Sequence, residues 1–193
     1  MTVQHNPTPS ASSQPGSGSL VGNAFRRLLA PPPHLTAMML VAEAQGGSYS
    51  PPTLGEISRL VLPFDDRKLS VSAQVYVAPQ AVSRFEQTTF SVALDQQSTI
   101  EEFRFERRPR MTLFRKPAGE KVVLRATNPG GVLSRLTESG LVDLFQGESI
   151  DASVCKNDTG HSILNVTAFK TFETRDSLSR AISAFRDVFN NLT

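Results

Sequence analysis

Apolar and polar residues alternate along several segments of this chain, a pattern typical of half-buried β-strands. The clearest example is KLSVSAQVYVA, in which every second residue is apolar. The same period of two recurs in TTFSVALDQ, IEEFRFERRPRMTLFR, EKVVLRATN and HSILNVTAFKTFE. We therefore expect a strand in each of these five segments.

Three other segments predict helices. In SYSPPTLGEISRLVLPF, Thr53 and Glu56 have the spacing of a capping box, two prolines precede them, and Pro63 ends the pattern. The segment GVLSRLTESGLVDLF places its large apolar residues near one helical face. The strongest amphipathic pattern is in TRDSLSRAISAFRDVFNN, with its apolar positions at Leu178, Ile182, Phe185 and Phe189.

The short apolar run LTAMMLVAE, at residues 35–43, fits a buried strand or a short helix, and we favour the strand. The predicted order is then β-α-β-β-β-β-α-β-α. Consecutive strands flanked by helices predict an α+β fold, with a single antiparallel sheet packed against two or three helices.

The first part of the chain has a different composition. Residues 1–24 contain no Asp, Glu, Lys or Arg and few large apolar side chains, and they are rich in Pro, Ser and Gly. Such a segment buries too little surface to offset the entropy lost on ordering. We predict a disordered arm with a Pro-rich motif at residues 1–33, followed by a globular domain at residues 34–193.

Composition excludes few classes of protein. The single cysteine, Cys155, rules out an intramolecular disulfide and a multi-cysteine zinc site, which suits a reducing compartment. We find no apolar stretch of membrane-spanning length, and the first residues lack the apolar core of a secretory signal. The net charge of +2 is too small to indicate a partner.

The sequence carries no catalytic signature. His5 lies in the predicted arm and His34 beside the prolines, while Cys155 and His161 could meet only as an isolated thiol–imidazole pair. No glycine-rich phosphate loop is present. We therefore expect no enzyme, no cofactor and no metal site.

A basic segment interleaved with aromatic residues is the main positive feature. We assign its cations, together with the double arginine before the prolines, to a candidate patch for anionic lipid or nucleic acid. The alternative is that arginine covers the wet face of ordinary strands, and the choice between lipid and RNA stays open. The patch comprises Arg104, Arg107, Arg108, Arg110, Arg115, Lys116, Arg26 and Arg27, and Lys121 and Arg125 follow it.

The proline run in LLAPPPHL favours polyproline II, which binds aromatic-lined grooves. It could serve as a linker, as a ligand for a host domain, or as a contact for another copy of the chain. The residues of this motif are Pro31, Pro32, Pro33, His34 and Leu35.

This layout resembles the rhabdovirus matrix proteins. APPPHL is similar to their PPPY or PPPH motif, LTAMMLVAEAQGGSYSPPTLGEISRLV to their opening strand, loop and helix, and HSILNVTAFKTFETRDSLSRAISAFRDVFNN to their late strand and amphipathic helix. The resemblance covers roughly residues 30–190. It implies a non-enzymatic viral matrix protein that self-associates under the membrane and links ribonucleoprotein to the envelope during assembly and budding.

The same resemblance implies the partners: other copies of the chain, the viral nucleocapsid, an anionic membrane surface and, as a further candidate, host budding factors. It places the protein in the virion, in the host cytoplasm and at the inner face of host membranes, with a nuclear step left open. Two departures matter: the arm has no charge before Arg26, and His34 replaces the tyrosine that recruits WW domains. Self-association is therefore the favoured role of the motif.

The alternative function is a small viral capsid or RNA-binding protein such as a silencing suppressor. A capsid protein usually carries a basic arm that neutralises the genome, whereas residues 1–24 have no cationic side chain. This absence favours the matrix interpretation.

Overall fold

The computed structural model describes residues 31–54, 56–77, 84–95, 98–111, 117–157 and 160–193. The helices are α1 (Pro33–Gln45), α2 (Pro129–Glu138) and α3 (Arg175–Leu192). The strands are β1 (Ser48–Ser50), β2 (Ser58–Phe64), β3 (Arg67–Val77), β4 (Arg84–Ala93), β5 (Phe103–Met111), β6 (Pro117–Ala126), β7 (Ile150–Lys156) and β8 (Ser162–Ala168). The chain divides into two units, Met1–Pro31 and Pro32–Thr193. The predicted arm, up to residue 30, lies outside the described residues.

All eight strands form one antiparallel sheet in the order β1-β2-β3-β4-β8-β7-β5-β6. The alternating apolar residues of the strands are buried on one face, which we call the inner face, and the helices pack there. The opposite, outer face carries mainly polar side chains of intermediate exposure. This architecture confirms the predicted α+β class with a single antiparallel sheet.

The apolar run after the prolines is a helix, so the predicted strand at residues 35–43 was wrong. Pro33 occupies the first helical position, where its fixed φ suits a helix and its missing N–H is not needed. Gly46 ends the helix in the left-handed region, with φ +67°. Met38 and Val41 are buried, whereas Met39 and Leu40 on the other side are exposed. Because apolar residues lie on both sides of this helix, the sequence does not show a helical period here.

The predicted helix after Pro51-Pro52 was also wrong, because Thr53 and Glu56 form a tight turn instead of a cap. Their backbone N–H groups donate to each other's carbonyls at 3.2 and 3.1 Å, and Thr53 Oγ1 donates to Glu56 Oε2 at 3.1 Å. The following segment is β2. It buries Leu60, Leu62 and Phe64 on the inner face of the sheet.

The helix predicted at residues 131–145 is shorter, and a strand follows it that we did not predict. α2 ends at Glu138, and Gly140 continues the chain with φ +80°, a conformation that favours glycine. β7 then alternates normally, with Ile150 and Val154 buried, and it connects β5 to β8. α3 is present where predicted, and Thr174 and Ser177 form its capping box.

Candidate anion-binding face

Two pairs of cations lie side by side on the outer face of the β5–β6 hairpin. In this antiparallel ladder Arg104 is opposite Arg125, and Arg108 is opposite Lys121. All four point to the outer face, because side chains alternate along a strand and Phe105 between them is buried on the inner face. Like charges directly opposite each other destabilise a ladder. The stability of the sheet therefore does not explain this arrangement, and we call these four residues the cationic face.

Neighbouring acids neutralise only part of this charge. Arg104 Nε lies 3.0 Å from Glu106 Oε1, and Arg108 Nη2 lies 2.6 Å from Asp151 Oδ1. The two β6 cations of the face are exposed, and neither forms an ion pair with any carboxylate among the described residues. Four cations and two carboxylates give the face a net positive charge. The cations without an acidic partner among the described residues are the two on β6.

Arg107, a member of the predicted patch, does not lie on this face, so this assignment was wrong. It points to the inner face, and only 1% of its surface is exposed. Its guanidinium donates to the carbonyl of Val142 and, at 2.8 Å, to the carbonyls of Leu144 and Phe145. Arg107 therefore fixes the irregular segment after α2 and is a structural residue, unavailable to lipid or nucleic acid.

The side chains of the other five members of the predicted patch lie outside the described residues. Arg110 lies in β5, but its side chain is outside the described residues. Arg115, Lys116, Arg26 and Arg27 also lie outside the described residues.

The predicted patch does not include Lys121 and Arg125, although they follow it in the sequence. The four-residue spacing from Arg104 to Arg108 recurs from Lys121 to Arg125, and this repeat is the signal that could have found them. Whether two strands present such pairs to the same face depends on their register. The sequence alone does not give that register.

The Pro-rich motif forms the start of α1 and borders a groove. Pro33 and the residues after it are helical, so the polyproline II interpretation does not hold for them. Pro32, His34 and Leu35 line a groove of about 300 Å³ between α1 and the strands β2 and β3. Large apolar residues near this groove are exposed; we call them the apolar corner, and they are Leu54, Ile57, Tyr76 and Phe85. The assignment of this motif to self-association stays a prediction.

His34 is buried within a cluster of ionisable groups. Burial lowers the pKa of His34 below its ordinary 6.5, with Arg84 acting in the same direction and Glu86 and Glu173 acting against it. Glu86 itself accepts a 2.5 Å hydrogen bond from Thr171 Oγ1, which is the main reason that its pKa is lowered. The folded protein therefore favours a neutral imidazole beside an ionised carboxylate.

Acidification from pH 7.5 to pH 5.5 is expected to lower the free energy of unfolding through His34. Below about pH 6.5 the unfolded chain takes up a proton that the folded chain resists, so stability falls with falling pH. Glu86 adds its own loss only at lower pH, below its ordinary 4.5. Urea unfolding of wild type and His34→Asn at both pH values measures the effect. An equal pH dependence in the two proteins would contradict it.

Cys155 and His161, the candidate thiol–imidazole pair, lie near the start of β8. Cys155 is exposed in β7, and its Sγ accepts a hydrogen bond from Asn165 Nδ2 at 3.6 Å. The backbone N–H of His161 donates to Asn157 Oδ1 at 2.8 Å. Within the described parts of the chain, no group of three or more His, Cys, Asp or Glu side chains is arranged to hold a metal ion.

Comparison of the chain with protein-family models, with curated proteins and with solved structures finds no match. Among the described residues, no helix is both long enough and apolar enough to cross a membrane. The geometry of the cationic face and of the apolar corner is therefore the basis for assigning a function.

Proposed function

We propose that this chain is a non-enzymatic assembly protein of the viral matrix type, which self-associates beneath a membrane and links ribonucleoprotein to it during assembly and budding. The observation that carries this proposal is the cationic face. Two of its cations have no acidic partner among the described residues, and like charges are held opposite each other on the outer face of the sheet. Such a surface suits a planar array of anionic headgroups, which attracts cations near it.

The apolar corner supports self-association. Leu54 is fully exposed, and Tyr76 and Phe85 expose 54% and 60% of their surfaces as an opposed pair on β3 and β4. Clusters of exposed apolar side chains usually mark sites at which a protein contacts a partner. The groove at this corner is lined by Pro32 and His34, so we propose residues 31–35 as part of the same contact between copies.

The partners that follow are other copies of the chain, the viral nucleocapsid and an anionic membrane surface, with host budding factors as a further candidate. The protein would then be found in the virion, in the host cytoplasm and at the inner face of host membranes. Adsorption through the cationic face requires neither a catalytic group nor a cofactor.

Flotation with lipid vesicles tests the membrane role. Each cation near an anionic surface contributes about 1 kcal/mol, so Lys121→Ala/Arg125→Ala should weaken binding to vesicles of 30% phosphatidylserine by about 30-fold. Vesicles of phosphatidylcholine alone should bind neither protein.

The matched control is Arg175→Ala/Arg180→Ala, which removes two exposed cations from α3 on the other side of the sheet. It should bind as wild type does. Equal binding by both double variants, or no phosphatidylserine-dependent binding by wild type, would contradict the proposal.

Sedimentation of wild type against Tyr76→Ser/Phe85→Ser tests self-association at the apolar corner, and a strictly monomeric wild type would count against it.

A further inference from the structure

A band of uncharged hydrogen-bonding side chains crosses the outer face and meets the cationic face. The ladder registers place them in rows, because Ser91 is opposite Asn165, Asn165 is opposite Ser153, and the row continues to Arg104 and Arg125. No described helix covers this band, since the helices pack on the inner face. We call it the polar platform, and it consists of Ser70, Thr89, Ser91, Ser153, Asn165 and Thr167.

Hydrogen bonds hold the polar platform in place and leave donor and acceptor capacity unused. Ser91 Oγ donates to Asn165 Oδ1 at 2.7 Å, and the hydroxyls of Thr89 and Thr167 lie 2.9 Å apart. The Asn165 amide has only a weak sulfur acceptor, Cys155, at 3.6 Å. All of these side chains except Cys155 are of intermediate exposure. The platform therefore offers preorganised polar groups, without charge, to a partner that contacts the sheet.

The row that joins the cationic face to the platform is long. It crosses β6, β5, β7, β8, β4 and β3, so at about 4.8 Å per strand it extends about 24 Å. Cations occupy one end of the row, and hydroxyl and amide groups occupy the rest. A partner that fills it must be anionic along one edge and rich in hydrogen-bonding groups beside that edge.

An exposed aromatic contact lies at the same end of the face. The guanidinium carbon of Arg108 is 4.5 Å from the ring centre of Phe169, whose surface is 39% exposed. Arg108 is held there by Asp151 and by a 2.8 Å hydrogen bond to the Ile150 carbonyl. Guanidinium planes and aromatic rings are the groups on which unpaired bases stack.

We infer that the outer face binds single-stranded RNA, with phosphates on the cationic face and base edges and ribose hydroxyls on the polar platform. This inference deepens the proposed function, on which it rests, by naming the partner on the ribonucleoprotein side. Because one cationic face cannot contact RNA and a membrane at the same time, some copies in the assembly would bind RNA and other copies the membrane. The uncharged groups of the polar platform favour RNA over lipid as its ligand, because headgroup phosphates need only the cations. A duplex also fits poorly, since its bases are already paired and stacked and do not offer their edges or rings to the platform.

The test uses the full-length chain and a fluorescein-labelled 20-nucleotide uridine RNA, read by fluorescence anisotropy at several salt concentrations. Lys121→Ala/Arg125→Ala should weaken binding and reduce the slope of log affinity against log salt by about 1.4, because two phosphate contacts are lost. Thr89→Val/Thr167→Val removes two hydroxyls but keeps the shape and the strand preference. It should weaken RNA binding about fivefold, leave the salt slope unchanged and leave phosphatidylserine flotation unchanged.

Two results would overturn the inference: wild type that does not bind the RNA, or a Thr89→Val/Thr167→Val variant that binds it as tightly as wild type. Circular dichroism of each variant excludes unfolding as the cause of a loss. If flotation depends on Lys121 and Arg125 but RNA binding is absent, the inference fails and the proposed membrane role stands. If RNA binds and flotation fails in wild type, the membrane role fails instead.

Discussion

Arg107→Ala is expected to lower the free energy of unfolding by about 3–5 kcal/mol. The guanidinium is almost completely buried, and its Nη2 donates to the carbonyls of Leu144 and Phe145 at 2.8 Å and Glu148 at 3.3 Å. Its truncation leaves these carbonyls without a donor in a buried region, which costs more than the loss of an average hydrogen bond. Guanidinium chloride unfolding, followed by far-UV circular dichroism, measures the change.

Arg104→Ala is the matched control for Arg107→Ala. It removes the same side chain from the same strand, but from the outer face, where the Arg104 side chain is 59% exposed. Exposed ion pairs contribute at most about 1 kcal/mol, so the expected change is small. Similar losses from the two substitutions would contradict the structural role assigned to Arg107.

Phe185→Ala is expected to cost about 3–5 kcal/mol of folding free energy, because it opens a cavity between α3 and the centre of the sheet. The ring of Phe185 stacks on that of Phe90 with centroids 5.5 Å apart, and both residues are fully buried. Phe90 also contacts Phe172 and Phe145, with centroids 6.0 and 5.6 Å away. Loss of one ring therefore weakens a cluster that joins the helix to β4.

Phe85→Ala provides the comparison, because Phe85 lies in the same strand as Phe90, β4, but is 60% exposed. It should change the free energy of unfolding by less than about 1 kcal/mol. Thermal unfolding of both variants measures the difference, and a cost for Phe185→Ala no larger than that for Phe85→Ala would contradict the packing of α3 described above.

The parts of the fold that could be predicted from the sequence are those in which one face is apolar and the other is polar. β3 and α3 are examples, since Val71 and Phe185 follow the periods of a strand and a helix. α1 could not be predicted from periodicity because it is apolar on both sides, although Pro33 and Gly46 marked its ends. The helix predicted to begin at Thr53 and Glu56 was wrong because the same three-residue spacing occurs in a helix cap and in a tight turn.

Half of the candidate site could be found in the sequence. Arg104 and Arg108 follow from the period of β5, and the same period places Arg107 on the inner face, contrary to its assignment to the patch. A basic residue is expected on the wet face, and only the three-dimensional position of the α2–β7 segment shows why one is buried. The contribution of β6 depends on the pairing of Arg104 with Arg125, which no local pattern specifies.

A label on the outer face tests most directly whether that face is the functional surface. Cys155 is the single cysteine of the chain, it is exposed, and it lies two residues along β7 from Ser153, which is opposite Arg104. A bimane group on Cys155 should become protected from iodide quenching when phosphatidylserine vesicles or the uridine RNA are added. The same group on Cys155→Ser/Ser183→Cys, on exposed α3, should stay accessible. Protection at position 183 with none at Cys155 would contradict the assignment of function to the outer face.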